Sequence, residues 1–284
     1  MMKLPAHYRI VSIYLVLGIV WIFFSDMAVE LIFSNKEDLT FAQNIKGWLF
    51  VAITAVLLFD LIRRDINAVK KTNKKLLESY DQTISGWVNV MDLRHKETTD
   101  HTQRVTAMAV ELAKAIGISD HNQLTNIERG ATLHDIGKIG IPDAILIKPD
   151  RLEEKEWEQM HRHPQIAHDI LSRIEFLRPC MDIPHYHHEK WDGSGYPEGL
   201  SGDAIPIAAR LFAVIDVWDA IIHSRVYKTA WSEEKALSYM QEQAGWHFDP
   251  AIVEVFIDNY DQIKRHAGIN EQEKFTPAEK TSLL

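Results

Sequence analysis

Two long apolar runs open the chain, and the spacing of apolar positions changes character after them. The first lies between Ile10 and Phe33 and includes Leu15, Val16, Leu17, Ile19, Val20, Trp21, Ile22, Phe23 and Phe24; the second lies between Ile45 and Ile62. Each approaches the roughly 20 residues that a membrane-crossing helix needs. The pattern therefore predicts transmembrane helices over 10–33 and 45–62, within an anchor covering 1–62. Beyond Ile62, heptad-core positions recur at Ile66, Val69, Asn73, Leu76 and Tyr80. Their spacing is that of a two-stranded coiled-coil seam, and predicts a helical linker over 63–86. A stutter carries the seam from Tyr80 to Ile84, after which Trp87 and Met91 resume it. The remaining pattern is helix after helix, with stripes at Val105, Met108, Ala109, Leu112 and Ile116 and at Ile207, Leu211, Val214, Ile215 and Trp218. Period-two alternation is nearly absent. An all-α bundle over 87–266 follows, with a polar, flexible tail over 267–284 that contains Pro277.

Charge sets the expected orientation. Lys3 and Arg9 precede the first run, and Arg63, Arg64, Lys70, Lys71, Lys74 and Lys75 crowd the exit of the second. The connection between them carries only Lys36 and Lys46. The positive-inside rule then places both ends of a two-pass anchor in the cytoplasm. The first run overshoots a signal-peptide core, and no small-residue cleavage pattern follows Phe24. Asp26 and Glu30 share one helical face and read as markers of the outer interface. A net charge of −9 disfavours DNA as a partner, while leaving room for a local cationic phosphate site. Cys180, as the single cysteine, excludes an intrachain disulfide framework and reads as a small buried hydrophobe. The linker seam predicts a homodimer and a continuous helix passing register changes to the bundle.

The polar phase is rich in groups that bind cations. His134-Asp135 ends an apolar run and is followed by Ile136-Gly137-Lys138-Ile139-Gly140. Its carboxylate can bridge two metal ions while the imidazole binds one, and Lys138 can reach an oxygen of a bound phosphate. Glu97 and His101 share a helical face. His163 stands before Pro164 at a helix start, and His187-His188 point in directions about 100° apart if helical. Asp216 lies in the apolar segment Val214-Ile215-Asp216-Val217-Trp218-Asp219, where an unpaired carboxylate is costly to bury.

Two motifs resemble the HD-GYP family, a branch of the HD superfamily of metal-dependent phosphohydrolases. They are Leu133-His134-Asp135-Ile136-Gly137-Lys138-Ile139-Gly140-Ile141-Pro142 and His187-His188-Glu189-Lys190-Trp191-Asp192-Gly193-Ser194-Gly195-Tyr196-Pro197. The resemblance implies a helical HD-type bundle with the HD-GYP extension, preceded by the anchor and linker. It implies hydrolysis of cyclic di-GMP to pGpG, and on to GMP, by hydroxide generated at two or three divalent ions, iron or manganese. His101, His134, Asp135 and Asp216 match the basic ligand quartet; His163, His187 and His188 match the additional ligands, and Glu97 the acid of a third metal. Lys138 matches the phosphate-contacting lysine. Asp219 and Arg225 match a polar pair flanking the substrate, so Asp135, Lys138 and Asp219 are the expected catalytic groups. Gly193, Gly195, Tyr196 and Pro197 match the signature loop shaping the substrate pocket. His223-Ser224-Arg225-Val226-Tyr227 keeps the arginine of the family's usual run but not its acid and proline. His161, His168, His185 and His223 fall outside the ligand pattern.

Ser25-Asp26 and Lys46-Gly47-Trp48 are similar to positions in paired-helix anchors that precede bacterial signalling domains. The expected location is therefore the bacterial inner membrane with the catalytic domain in the cytoplasm. Expected partners are cyclic di-GMP, the membrane, a second copy of the chain, and signalling proteins such as a diguanylate cyclase. The alternatives are a non-catalytic cyclic di-GMP receptor and an HD phosphohydrolase acting on another cyclic nucleotide.

Overall fold

A computed structural model describes residues 5–95, 99–223 and 230–267, with the side chains of Ala6, His95, Thr99 and Asp100 left aside. Among the described residues there is no β-strand, and the one β-bridge outside helices joins Ala244 to Phe248. The all-α expectation holds. The helices are α1 (Ala6–Ile32), α2 (Lys36–His95), α3 (Thr99–Ala115), α4 (His121–Thr132), α5 (Asp143–Leu146) and α6 (Glu154–Met160). They continue with α7 (His163–Leu171), α8 (Asp182–Tyr186), α9 (Ile207–Ile222), α10 (Glu233–Glu242), α11 (Pro250–Asp258) and α12 (Tyr260–His266). A 3-10 turn over Ile136–Gly140 joins α4 to α5. The chain divides into two compact units, Met1–Tyr80 and Asp81–Leu284.

In the first unit α1 runs antiparallel to the early part of α2. Asp26 pairs with Lys46, and Arg9 with Asp65. Tyr14 and Trp21 lay their rings against Phe50 at 6.4 and 5.9 Å, and a Cβ at Gly18 would sit 3.8 Å from that same ring. The helix pair differs from expectation at its turn. α2 starts at Lys36, well before the apolar run, and the connection shrinks to residues 33–35. Asn35 explains the early start: its carbonyl accepts from the Leu39 amide at 3.0 Å, and Glu37 and Asp38 place acid at the positive helix end. Apolar periodicity is blind to such polar first turns. Both α1 and α2 contain stretches long and apolar enough to cross a membrane.

In the second unit α3 packs on α4 and α9, and the core joins Val105, Met108, Leu112, Leu211, Phe212, Ile215, Trp218, Phe248 and Phe256. Both expected stripes are buried with two exceptions at their ends. Ile116 is half-buried, and Ile207 is 41% exposed because it is the first residue of α9 after Pro206. A smaller core gathers Ile84, Val88 and Met91 from α2 with Leu133, Ile136, Leu171, Leu177 and Cys180. The buried phase of α2 is thus Ile84, Val88 and Met91, whereas Trp87 is 49% exposed. The sequence seam through Trp87 follows the heptad one position too early, because the residues after the stutter pack on their own bundle. Cys180 is buried as expected, its thiol donating to the Leu177 carbonyl at 2.9 Å and pushed up to about 11 by burial.

Arg94 closes the end of α2 onto the 3-10 turn. Its guanidinium donates to the carbonyls of Lys138, Ile139 and Ile141 at 3.2, 3.0 and 2.7 Å and to the Asp143 carboxylate at 2.8 Å. The turn that carries Lys138 is thereby tied from outside. Ile84→Ala should destabilise the second unit by about 2–4 kcal/mol, while Lys71→Ala, exposed and off the linker seam, should stay within about 0.5 kcal/mol. Denaturant midpoints of the two variants check this, and equal midpoints would refute the buried phase of α2.

Candidate metal centre

His134 and Asp135 stand where α4 runs out and the 3-10 turn begins. His101 projects from α3, His163 opens α7, His187 follows the last turn of α8, and Asp216 sits mid-way along α9. The ligand atoms of His101, His134 and Asp216 lie within 4.8 Å of one another, as do those of His163, His187 and His188. Asp135 links the two sets. Its Oδ2 is 3.2 Å from His134 Nε2, and its Oδ1 is 3.4 Å from His163 Nε2 and 4.0 Å from His187 Nε2. Seven of the eight expected ligands therefore share one site. Glu97 lies outside the described residues.

The imidazoles are oriented from behind. Nδ1 of His134, His163 and His187 faces the carbonyls of Ala131, Met160 and Ile183 at 2.8, 2.8 and 3.0 Å. A proton on each Nδ1 leaves Nε2 as a lone-pair donor toward the centre. His101 Nδ1 lies 2.6 Å from the Asp219 carboxylate, which also accepts from Arg104 Nε and Nη2 at 2.8 and 2.9 Å. His223 Nδ1 approaches the same carboxylate at 3.0 Å. Asp219 is 2% exposed, so its expected contact with substrate is corrected. With its oxygens already engaged, it orients His101 instead. Arg225, its expected companion, lies outside the described residues. Arg104 belongs to neither motif, and its place one turn after His101 on α3, which puts both on one face, is the signal for it in the sequence.

Electrostatics match a cation site. Burial lowers His163 to about 4 and, with neighbouring imidazoles, holds His187 and His188 well below the usual histidine range. Burial also opposes charge on His134, but Asp135 and Asp216 outweigh it and push that imidazole up to about 9. For Asp135, burial acts to raise the carboxyl, yet Lys138 and His134 hold it well below the carboxylate range. Lys138 Nζ lies 2.5 Å from Asp135 Oδ2. Neutral imidazoles at His163, His187 and His188 and an ionised Asp135 are the protonation states that a divalent cation requires, whereas His134 holds a proton against the two carboxylates that such a cation would displace. The two donor sets, which Asp135 links, fit divalent cations, with mixed nitrogen and oxygen donors.

Close backbone packing brings the two sets together. A Cβ at Gly137 would lie 1.9 Å from the His163 carbonyl oxygen, so only glycine lets the turn approach α7 this closely. Across the site, Phe212 supplies an apolar wall 5.0 Å from the His134 ring. The signature loop closes the remaining side. Tyr196 stacks on His188 at 4.7 Å and on His161 at 4.1 Å, and is joined to Pro197 by a cis peptide bond. Gly193 holds φ of 83°, while a Cβ at Gly195 would meet the Lys190 nitrogen at 2.3 Å. Glu189, 2% exposed, accepts from the amides of Glu198, Gly199 and Leu200 at 2.7, 3.0 and 3.0 Å. The second motif contains Glu189 but gives it no role, and only its place beside His188 hints at this buried anchor. His185 is buried with Nε2 3.2 Å from Glu198.

The family model described as HD domain matches residues 87–252. The chain belongs to the HD domain family. Its HD domain is similar to that of a cyclic di-GMP phosphodiesterase response regulator of Xanthomonas campestris, with 40% identity over 189 residues, 66% of this chain and 50% of that protein. A 3'3'-cGAMP-specific phosphodiesterase of Vibrio cholerae is 38% identical over 189 residues, 66% of this chain and 36% of its own length. A cyclic di-GMP phosphodiesterase of Thermotoga maritima is 36% identical over 202 residues, 69% of this chain and 55% of its own. The chain thus spans between 36% and 55% of these relatives' length. A crystal structure of a V. cholerae cyclic GMP-AMP specific phosphodiesterase shares the fold, with a TM-score of 0.52 at 18% identity, over 67% of this chain and 50% of that one.

Asp219→Asn should weaken metal binding by about 10–100-fold, because His101 loses its ionised acceptor. Equilibrium titration with manganese would show it, and unaltered affinity would contradict the orienting role.

Proposed function

We propose that this chain is a membrane-anchored phosphodiesterase of the HD-GYP branch that hydrolyses cyclic di-GMP to pGpG and then GMP. The observation that carries the reading is the placing of Asp135 between the His101, His134, Asp216 set and the His163, His187, His188 set. Each set would hold one divalent cation, iron or manganese, and Asp135 would serve both. When bound, such ions lower the pKa of water toward neutrality and neutralise charge on a phosphodiester. The other parts of the site are the chain's own. Lys138 keeps Asp135 ionised and brings a positive charge to the mouth of the centre, where a non-bridging phosphate oxygen can be met. Asp219 and Arg104 fix His101, and the Tyr196 ring covers His188. A third ion, and the step to GMP, rest on Glu97.

The first unit supports a two-pass anchor with both ends in the cytoplasm. Ile19, Ile22 and Phe23 of α1 are 68%, 60% and 66% exposed, and Trp48, Val56 and Phe59 of α2 are 77%, 70% and 66% exposed. So much apolar surface on one helix pair suits lipid rather than water. Ile66, Val69, Leu76 and Tyr80 form a further exposed line on α2, with Asn73 in phase, and support pairing with a second copy. Cysteines placed at Asn73 or Leu76 should then form disulfide-linked dimers on oxidation in the membrane; persistent monomer on gels would remove the homodimer from the reading.

The relative named as 3'3'-cGAMP-specific favours that dinucleotide as the second reading. Anaerobically purified full-length chain, given cyclic di-GMP or 3'3'-cGAMP and followed by product chromatography, separates the two. Cyclic di-GMP should be the better substrate, and Asp135→Ala should lower turnover at least about a hundredfold. Binding of cyclic di-GMP without hydrolysis by metal-loaded protein would leave a receptor instead, and undiminished turnover in Asp135→Ala would refute the mechanism.

A further inference from the structure

An aromatic surface leads from the metal centre outward to α6. Tyr196 lies nearly parallel to His188 at 4.7 Å and 29°, and His161 lies over Tyr196 at 4.1 Å and 24°. Trp157 continues the series, 5.5 Å from His161 at 46°. One turn of helix separates Trp157 from His161, so the two present one face. Trp157 is 49% exposed, and none of the residues of α6 is buried. That short helix is set instead by polar contacts at its start. Glu156 accepts from the Glu153 amide at 2.7 Å and from Lys148 Nζ at 2.6 Å. A tryptophan half open to solvent on a helix without a buried side is not explained by core packing. Its continuity with the rings that cover the metal ligands gives it a different use.

We propose that Trp157 and His161 form a stacking platform for one purine of the cyclic dinucleotide, whose phosphodiester lies at Asp135. The inference rests on the phosphodiesterase reading and adds a base-binding subsite to it. Flat aromatic faces bind bases through stacking and tolerate base identity, because every base offers a π-face. The platform therefore contributes affinity for purine dinucleotides in general.

The test uses full-length chain in detergent, loaded with manganese and assayed with cyclic di-GMP and 3'3'-cGAMP. Trp157→Leu, which keeps apolar bulk but removes the ring, should raise KM about tenfold for both substrates. Its kcat should stay within about twofold, as expected for loss of uniform binding. Trp157→Phe should restore most of the affinity, and His161→Ala should raise KM in the same direction. An unchanged KM in Trp157→Leu overturns the platform and leaves the phosphodiesterase reading standing. A fall in kcat accompanied by loss of bound manganese marks a structural role and overturns it too. Wild-type protein that hydrolyses neither dinucleotide ends the phosphodiesterase reading and the platform with it.

Discussion

A carboxylate held ionised in a largely buried pocket is the constraint on which the second unit depends. An uncompensated charge at Asp135 would be too costly to bury. Its compensation comes from Lys138, one turn along, from the adjacent His134, and from His163 at the start of α7. The chain must therefore close α4, the 3-10 turn and α7 onto one point, with the end of α8 beside them. Gly137 makes that closure sterically allowed, and Arg94 ties the turn from the opposite side. Core packing around Leu133, Ile136 and Ala167 supplies the apolar burial that holds the polar cluster in place. The candidate ligands thus lie where these helix ends meet, and burial of their charge and closure of the bundle are met by the same contacts.

Much of this arrangement is legible in the sequence. Helical periodicity predicts the all-α class, and the candidate ligands are picked out by the two motifs that resemble the HD-GYP family rather than by any one histidine. What escaped was whatever acts through a partner distant in sequence. The resemblance pairs Asp219 with Arg225 beside the substrate; only the approach of α3 to α9 shows its oxygens committed to His101 and Arg104. Glu189 is one more surface acid in the string, until the chain folds back and offers it three amides. The start of α2 was hidden for a different reason. Its first turns are polar, and the signal lies in capping at Asn35 and acid at Glu37 and Asp38 rather than in hydrophobicity.

Trp87 shows the limit of one-dimensional phase. A heptad seam extrapolated through the stutter selects Ile84, Trp87 and Met91, whereas the second unit buries Ile84, Val88 and Met91. Two of three positions agree because steps of three and four both keep roughly to one face of a helix. The third reports which surface the helix serves. Within residues 81–95 that surface is the bundle's own core, and the ring of Trp87 is left in solvent.

The signature loop is anchored so that a residue outside the metal centre governs what covers it. Glu189 begins the segment and grips the amides at its far end, so both ends of residues 190–197 meet at a single side chain. Between those ends the Trp191 and Asp192 amides donate to the His247 and Trp246 carbonyls, and the Tyr196 amide to the His188 carbonyl. A change at Glu189 that freed the three amides would therefore reach the Tyr196 ring and the imidazole beneath it, making this acid a remote keeper of the cover over His188.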